Sequence, residues 1–67
     1  MSVINNIKTV RNEKNISQED LAEAIQCSAR TISRYETNER NPSLELALRL
    51  ARYLQLSVDE LFVLTDD

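Results

Sequence analysis

The fold is decided by residues 16–45, "ISQEDLAEAIQCSARTISRYETNERNPSLE". Ser17 stands three residues before Asp20, close to the spacing of a capping box, and opens a helical stripe of Leu21, Ala22 and Ile25. Glu19, Asp20 and Glu23 make the wet face and favour the positive end of the helix. A second helix begins at Ser28. At about 3.6 residues per turn, Ile32 and Tyr35 share one face, while Ala29, Arg30, Ser33, Arg34 and Thr37 share the opposite one. The two helices, about 17–25 and 28–37, are separated only by "QCS", residues 26–28. A connection that short forces a steep crossing, in which the first helix braces and the second presents its wet face. The major groove of DNA admits such a helix. Ala29 and Ser33 are short enough for close approach, and Arg30 offers the several donors that a guanine accepts. Ser17 and Gln18 begin the first helix with free N–H groups and an amide suited to a phosphate.

Three further helices flank this pair. "NNIKTVRNEKN" predicts a helix over 5–14, with Ile7, Val10, Arg11 and Lys14 on one face and an asparagine as cap. After the turn "NERNP", Ser43 caps a helix over 43–54. Ser57 and Glu60 repeat the capping-box spacing for a helix over 57–62. In the fourth helix, Leu44, Ala47, Leu48, Ala51 and Leu54 form one apolar face and Leu46, Leu50 and Tyr53 another. "SVI" near the start and "LFVLT" near the end are β-friendly runs that could pair as a small antiparallel ribbon. No linker or repeat interrupts residues 1–67, so a single domain is expected.

Composition narrows the function. With no histidine, no glycine and one cysteine, the chain has no zinc set, no Cys/His or Ser/His nucleophile pair and no phosphate-cradling loop. An enzyme, a metal site and a cofactor are therefore not expected. A lone cysteine suits the reducing cytoplasm, and no apolar run is long enough to suggest a membrane span. Cys27 reads as a small hydrophobe, with a redox role as the lesser alternative. The net charge of −3 is not spread evenly. Residues 1–43 carry six positive and six negative charges, whereas residues 44–67 carry two positive and five negative. Arg30, Arg34 and Arg40 thus make a locally basic surface, away from an acidic C-terminal end.

Ser17-Gln18 with Leu21-Ala22, Ile32-Ser33-Arg34-Tyr35-Glu36, Asn41-Pro42-Ser43-Leu44 and Leu56-Ser57-Val58-Asp59-Glu60-Leu61 together resemble the Cro/CI-type helix-turn-helix regulators, over nearly the whole chain. The resemblance implies an all-α, five-helix, lambda-repressor-like DNA-binding domain. It also implies a sequence-specific regulator of double-stranded DNA, commonly a homodimeric repressor on a palindromic operator. It places Gln18 on the phosphate backbone and sometimes a base. Ser28, Ala29, Arg30, Ser33 and Arg34 would lie in the groove, with Thr37, Asn38 and Arg40 on phosphates. It pairs Arg11 with Glu36. In two places where the family commonly has glycine, this chain has Gln26 and Asn38.

Leu61, Phe62, Val63 and Leu64 are consecutive, and one small core cannot bury them all. With Leu50 and Tyr53 of the fourth helix they are the expected dimer interface, with Asp66 and Asp67 at its wet rim. The alternative reading is a protein-binding module, such as an antitoxin-like partner, that uses the same apolar end.

Overall fold

The structure, a computed structural model, describes residues 1–66; Asp67 lies outside the described residues. In chain order the elements are β1 (Ser2–Asn5), α1 (Ile7–Glu13), α2 (Gln18–Ile25), α3 (Ala29–Glu36), α4 (Leu44–Leu54), α5 (Val58–Leu61) and β2 (Phe62–Thr65). The five helices appear where the periodicity puts them. Four begin on a serine whose hydroxyl accepts a backbone N–H three residues on: Ser17 from Asp20, Ser28 from Thr31, Ser43 from Leu46 and Ser57 from Glu60. At Ser57 the reciprocal half is present, because Glu60 accepts the Ser57 N–H at 2.9 Å.

The same four-fold regularity governs the helix ends. Asn15, Gln26, Asn38 and Gln55 follow α1 to α4 with φ of 57°, 63°, 62° and 62°. In each case the next N–H reaches back five residues: Ile16 to Arg11, Cys27 to Ala22, Glu39 to Arg34 and Leu56 to Ala51, at 2.9–3.0 Å. This is the Schellman closure, which satisfies carbonyls the helix leaves unpaired. It usually brings an apolar contact with it, and Ile16, Cys27 and Leu56 do pack against the core. Glu39 has the same place after α3 but stays exposed. The left-handed backbone costs a non-glycine residue roughly 1–2 kcal/mol, least for asparagine.

The core is built from Ile7, Leu21, Ile25, Ile32, Leu50, Leu54 and Leu61, all fully buried, with Ala22, Tyr35 and Ala51 between them. The expected terminal ribbon is present. β1 and β2 pair antiparallel, Ser2 opposite Thr65 and Asn5 opposite Phe62. It takes Asn5 from the predicted start of α1, which begins at Ile7 instead. Asn5 is committed elsewhere: its Oδ1 accepts the Ile7 N–H at 3.1 Å and its Nδ2 donates to the Tyr35 carbonyl at 2.8 Å.

Two expectations about the apolar end are corrected. Leu50 and Leu61, assigned above to a dimer interface, are completely buried within the single chain. Leu50 shares the α4 face of Ala47, Ala51 and Leu54 through their spacing of three and four. Leu61 ends α5 turned inward, where its carbonyl accepts the Asn6 N–H at 2.9 Å. Conversely Leu44 and Leu48, placed above on one apolar face with Ala47, Ala51 and Leu54, are exposed. Phe62 is half-buried against the core. Tyr53, Val63 and Leu64 remain exposed, joined by Ile4 of β1. Asp66 is exposed, as expected.

Candidate nucleic-acid interface

The α3 helix holds the chain at two buried points, Ile32 and Tyr35. Its other face is turned outward. Arg30 and Thr37 are exposed, and Ala29, Ser33 and Arg34 are half-buried. The Arg30 side chain makes no hydrogen bond or ion pair with the described residues. A guanidinium left unpartnered on a helix face keeps all its donors for an incoming acceptor. Ser28 lies at the cap of α3. Its Oγ accepts the Thr31 N–H at 3.1 Å and lies 2.9 Å from the Thr31 hydroxyl.

Beyond α3 the chain turns through Thr37 to Arg40. The Thr37 hydroxyl donates to the Arg34 carbonyl at 3.2 Å. Asn38, in the left-handed conformation, uses its Oδ1 to accept from the Asn5 amide at 3.4 Å. Arg34, Glu39 and Arg40 line a shallow hollow. The Arg34 Nε and Glu39 Oε2 stand 3.8 Å apart, with Arg34 half-buried and Glu39 exposed, so this contact is a weak tie. Two guanidiniums bordering a concavity suit an oxyanion. Glu39 partly opposes them, a role not visible in the sequence because the residue resembles any solvated loop charge.

The expected Arg11–Glu36 pair is present and buried, with side chains 11% and 3% exposed. The Arg11 Nε donates to Glu36 Oε2 at 2.7 Å, its Nη2 to Oε1 at 3.2 Å, and its Nη1 to the Ile16 carbonyl at 3.0 Å. One side chain of α1 thus holds both the entry to α2 and the end of α3. The hydrogen bond to Glu36 raises the Arg11 pKa further, against the opposing effect of burial. Gln18, first in α2, joins the group: its Nε2 donates to Glu36 Oε1 at 2.9 Å. Neither this tie nor the clamp of Asn5 on the end of α3 is legible in the sequence. Each partner is many residues away, and no local spacing signals it.

Cys27 is half-buried against the core, and burial pushes its thiol pKa up. This is the behaviour of a small hydrophobe and the opposite of an activated thiolate. A final tie braces α2 from α4: Arg49 Nη1 donates to the Ile25 carbonyl at 3.3 Å and to Gln26 Oε1 at 3.2 Å.

A helix-turn-helix family model matches residues 7–61, spanning all five helices. The chain belongs to the Cro/CI-type helix-turn-helix family. An uncharacterized HTH-type transcriptional regulator of Methanocaldococcus jannaschii is 35% identical over 63 residues, 94% of this chain and 96% of that one. Longer archaeal relatives match over only 15% to 18% of their own length. A crystal structure from Bacteroides fragilis has a TM-score of 0.84 at 34% identity, over 92% of this chain and 100% of that one. The P22 c2 repressor, solved in complex with a synthetic operator, has a TM-score of 0.78 at 33% identity, over 81% of this chain and 82% of that one. This helix-turn-helix chain is thus a DNA-binding transcriptional regulator by family. None of its helices among the described residues is long and apolar enough to cross a membrane.

Proposed function

We propose that this regulator is a sequence-specific, dimeric repressor of a palindromic operator. The observation that carries the reading is the outward face of α3, where Arg30 stands unpartnered among Ala29, Ser33 and Arg34. In this reading α3 enters the major groove and Arg30 takes a guanine edge. Ser28 contributes at the groove wall, Gln18 lies beside α3, and Thr37, Asn38 and Arg40 hold the phosphates beyond it. The similarity to the P22 c2 repressor, crystallised with a synthetic operator, supports the same use. The small patch of arginines, in a chain of net charge −3, makes non-specific affinity modest and leaves discrimination to base contacts.

A second copy would meet the first at the outer ribbon. There Ile4, Val63 and Leu64 are exposed, while Tyr53 is exposed on α4. One chain measures 32 × 21 × 21 Å. A two-fold pair that reads an inverted repeat in this way would have to set its two α3 helices about 34–36 Å apart, one turn of DNA. A repressor of this kind acts by occupying the site. Selection from a random duplex library tests the reading. An inverted repeat bound by two chains is expected, and failure to enrich any motif would overturn it. The antitoxin-like alternative uses the same apolar face for another protein. It predicts a chain that stays monomeric on DNA until that protein is added.

A further inference from the structure

The Glu36 carboxylate is 3% exposed and meets three donors, two from Arg11 and one from Gln18. Paired with a guanidinium, it accepts on both oxygens and donates nothing. The Gln18 amide therefore has one orientation. Turned over, it would press its carbonyl oxygen against Glu36 Oε1, acceptor to acceptor, in a place water barely reaches. With one N–H given to Glu36 at 2.9 Å, Gln18 keeps its carbonyl Oε1 and one further N–H. Those two groups form an acceptor–donor pair on a half-buried side chain at the first position of α2, beside the last turn of α3.

We propose that Glu36 is a positioning residue that makes Gln18 an adenine reader. Oε1 accepts the adenine N6–H, and the remaining N–H donates to N7. The inference rests on the reading that this face enters the major groove. Phosphate oxygens only accept, so a phosphate would use the single N–H and meet the fixed carbonyl unfavourably. A base edge that carries a donor next to an acceptor uses both. Guanine presents two acceptors there and is refused by the carbonyl. Arg11 acts one step further back, by holding the carboxylate that holds the amide.

Random-duplex selection with the full chain is run on wild type, Gln18→Ala, Gln18→Lys and Glu36→Gln. Wild type should enrich an adenine at one position of each half-site. Both Gln18 variants should keep the rest of the motif and lose that adenine, with discrimination falling about 5- to 150-fold. The lysine can still pair with Glu36 and hold a phosphate, so a phosphate role predicts an unchanged motif for Gln18→Lys. Glu36→Gln frees the amide to turn, and its preference should broaden from adenine to guanine at that position alone. In wild type the Gln18 side-chain amide protons should be well separated and slow to exchange by NMR, and Glu36→Gln should remove both features. If Glu36→Gln does not fold, the two Gln18 variants decide. A wild-type motif that both Gln18 variants leave intact overturns this inference while the DNA-binding reading stands. No wild-type motif at all overturns the DNA-binding reading first.

Discussion

Arg11→Met tests how much of the fold hangs on one buried pair. The substitution keeps an apolar stem of similar length and removes the charge. Three hydrogen bonds go with it, two to Glu36 and one to the Ile16 carbonyl. Glu36 is left with only the Gln18 amide in a site that is 3% exposed. Removing one partner of a buried pair costs about 3–5 kcal/mol, mostly through the charge left behind. The Gln18 bond persists and Arg11 is not wholly enclosed, so the lower end, about 3 kcal/mol, applies. A chain of this length has a total stability of roughly 3–10 kcal/mol. The loss is therefore a third of the stability or all of it. At about 4–8 °C per kcal/mol for so small a domain, the melting temperature should fall by roughly 12–24 °C.

The double variant, Arg11→Met with Glu36→Leu, separates the pair's net worth from the penalty of an orphaned charge. It removes both ions and fills the site, so it should lie much nearer to wild type than Arg11→Met does. Gln18 loses its partner but is half-buried and can turn to water. Thermal melts followed by circular dichroism, with urea midpoints as a check, complete the cycle. A melting temperature for Arg11→Met within about 2 °C of wild type would refute the reasoning, because a shift that small corresponds to well under 1 kcal/mol. It would mean that Glu36 reaches water readily.

Arg30→Ala should lose about 1–3 kcal/mol of binding to the selected site and relax one base position. Arg40→Ala should weaken all sequences alike and lower the salt dependence by about one counterion; gel shifts over a salt series check both. Gln55→Gly should stabilise by up to about 1 kcal/mol, because relief of the left-handed backbone exceeds the added chain entropy; an unchanged urea midpoint would show that Gln55 carries no strain. Burial raises the Cys27 and Tyr35 pKa values, so both groups favour the folded chain while protonated. That stability is complete below their unfolded pKa values and is lost as pH rises through the folded ones. Stability should therefore fall on the alkaline side, and Cys27→Ser should remove the thiol's share of that loss. Val63→Asp should lower the melting temperature of concentrated more than of dilute protein if the ribbon face joins two copies.

The sequence makes the helices legible because their signals are local. Four serine caps and the stripe Leu21, Ala22, Ile25 need only neighbouring residues to be read. The helix ends were partly hidden. In a chain without glycine, "NI" at 15–16, "QC" at 26–27 and "QL" at 55–56 stand for the left-handed residue and the apolar one that follows it. Of the left-handed positions the resemblance marks out only Gln26 and Asn38. The faces of α4 were the least legible. So many of its residues are apolar that periodicity allows two stripes, and only the packing of α2 and α5 against it selects Ala47, Leu50, Ala51 and Leu54 as the buried one.

The exception among the helix ends joins the fold to the site. Three Schellman closures put an apolar residue into the core, which fixes where the chain goes next. After α3 that place is held by Glu39, and the loop towards Asn41 stays on the surface with Arg40 exposed. Residues 37–41 are all exposed. Its anchors are polar ones, the Asn5 amide on the Tyr35 carbonyl and on Asn38 Oδ1. The recognition helix is thus clamped at its inner face by Ile32 and Tyr35, at its end by Arg11 through Glu36, and at its exit by the terminal ribbon through Asn5. The segment that would grip phosphates, Thr37 to Arg40, is exposed and is tied back to α3 by hydrogen bonds. Asn5→Ala should therefore weaken DNA binding more than it lowers stability. The Asn5 side chain is only half-buried, so its loss removes the clamp on the exit of α3 without opening a cavity in the core. Equal losses of binding and of melting temperature would show instead that the ribbon serves the core alone.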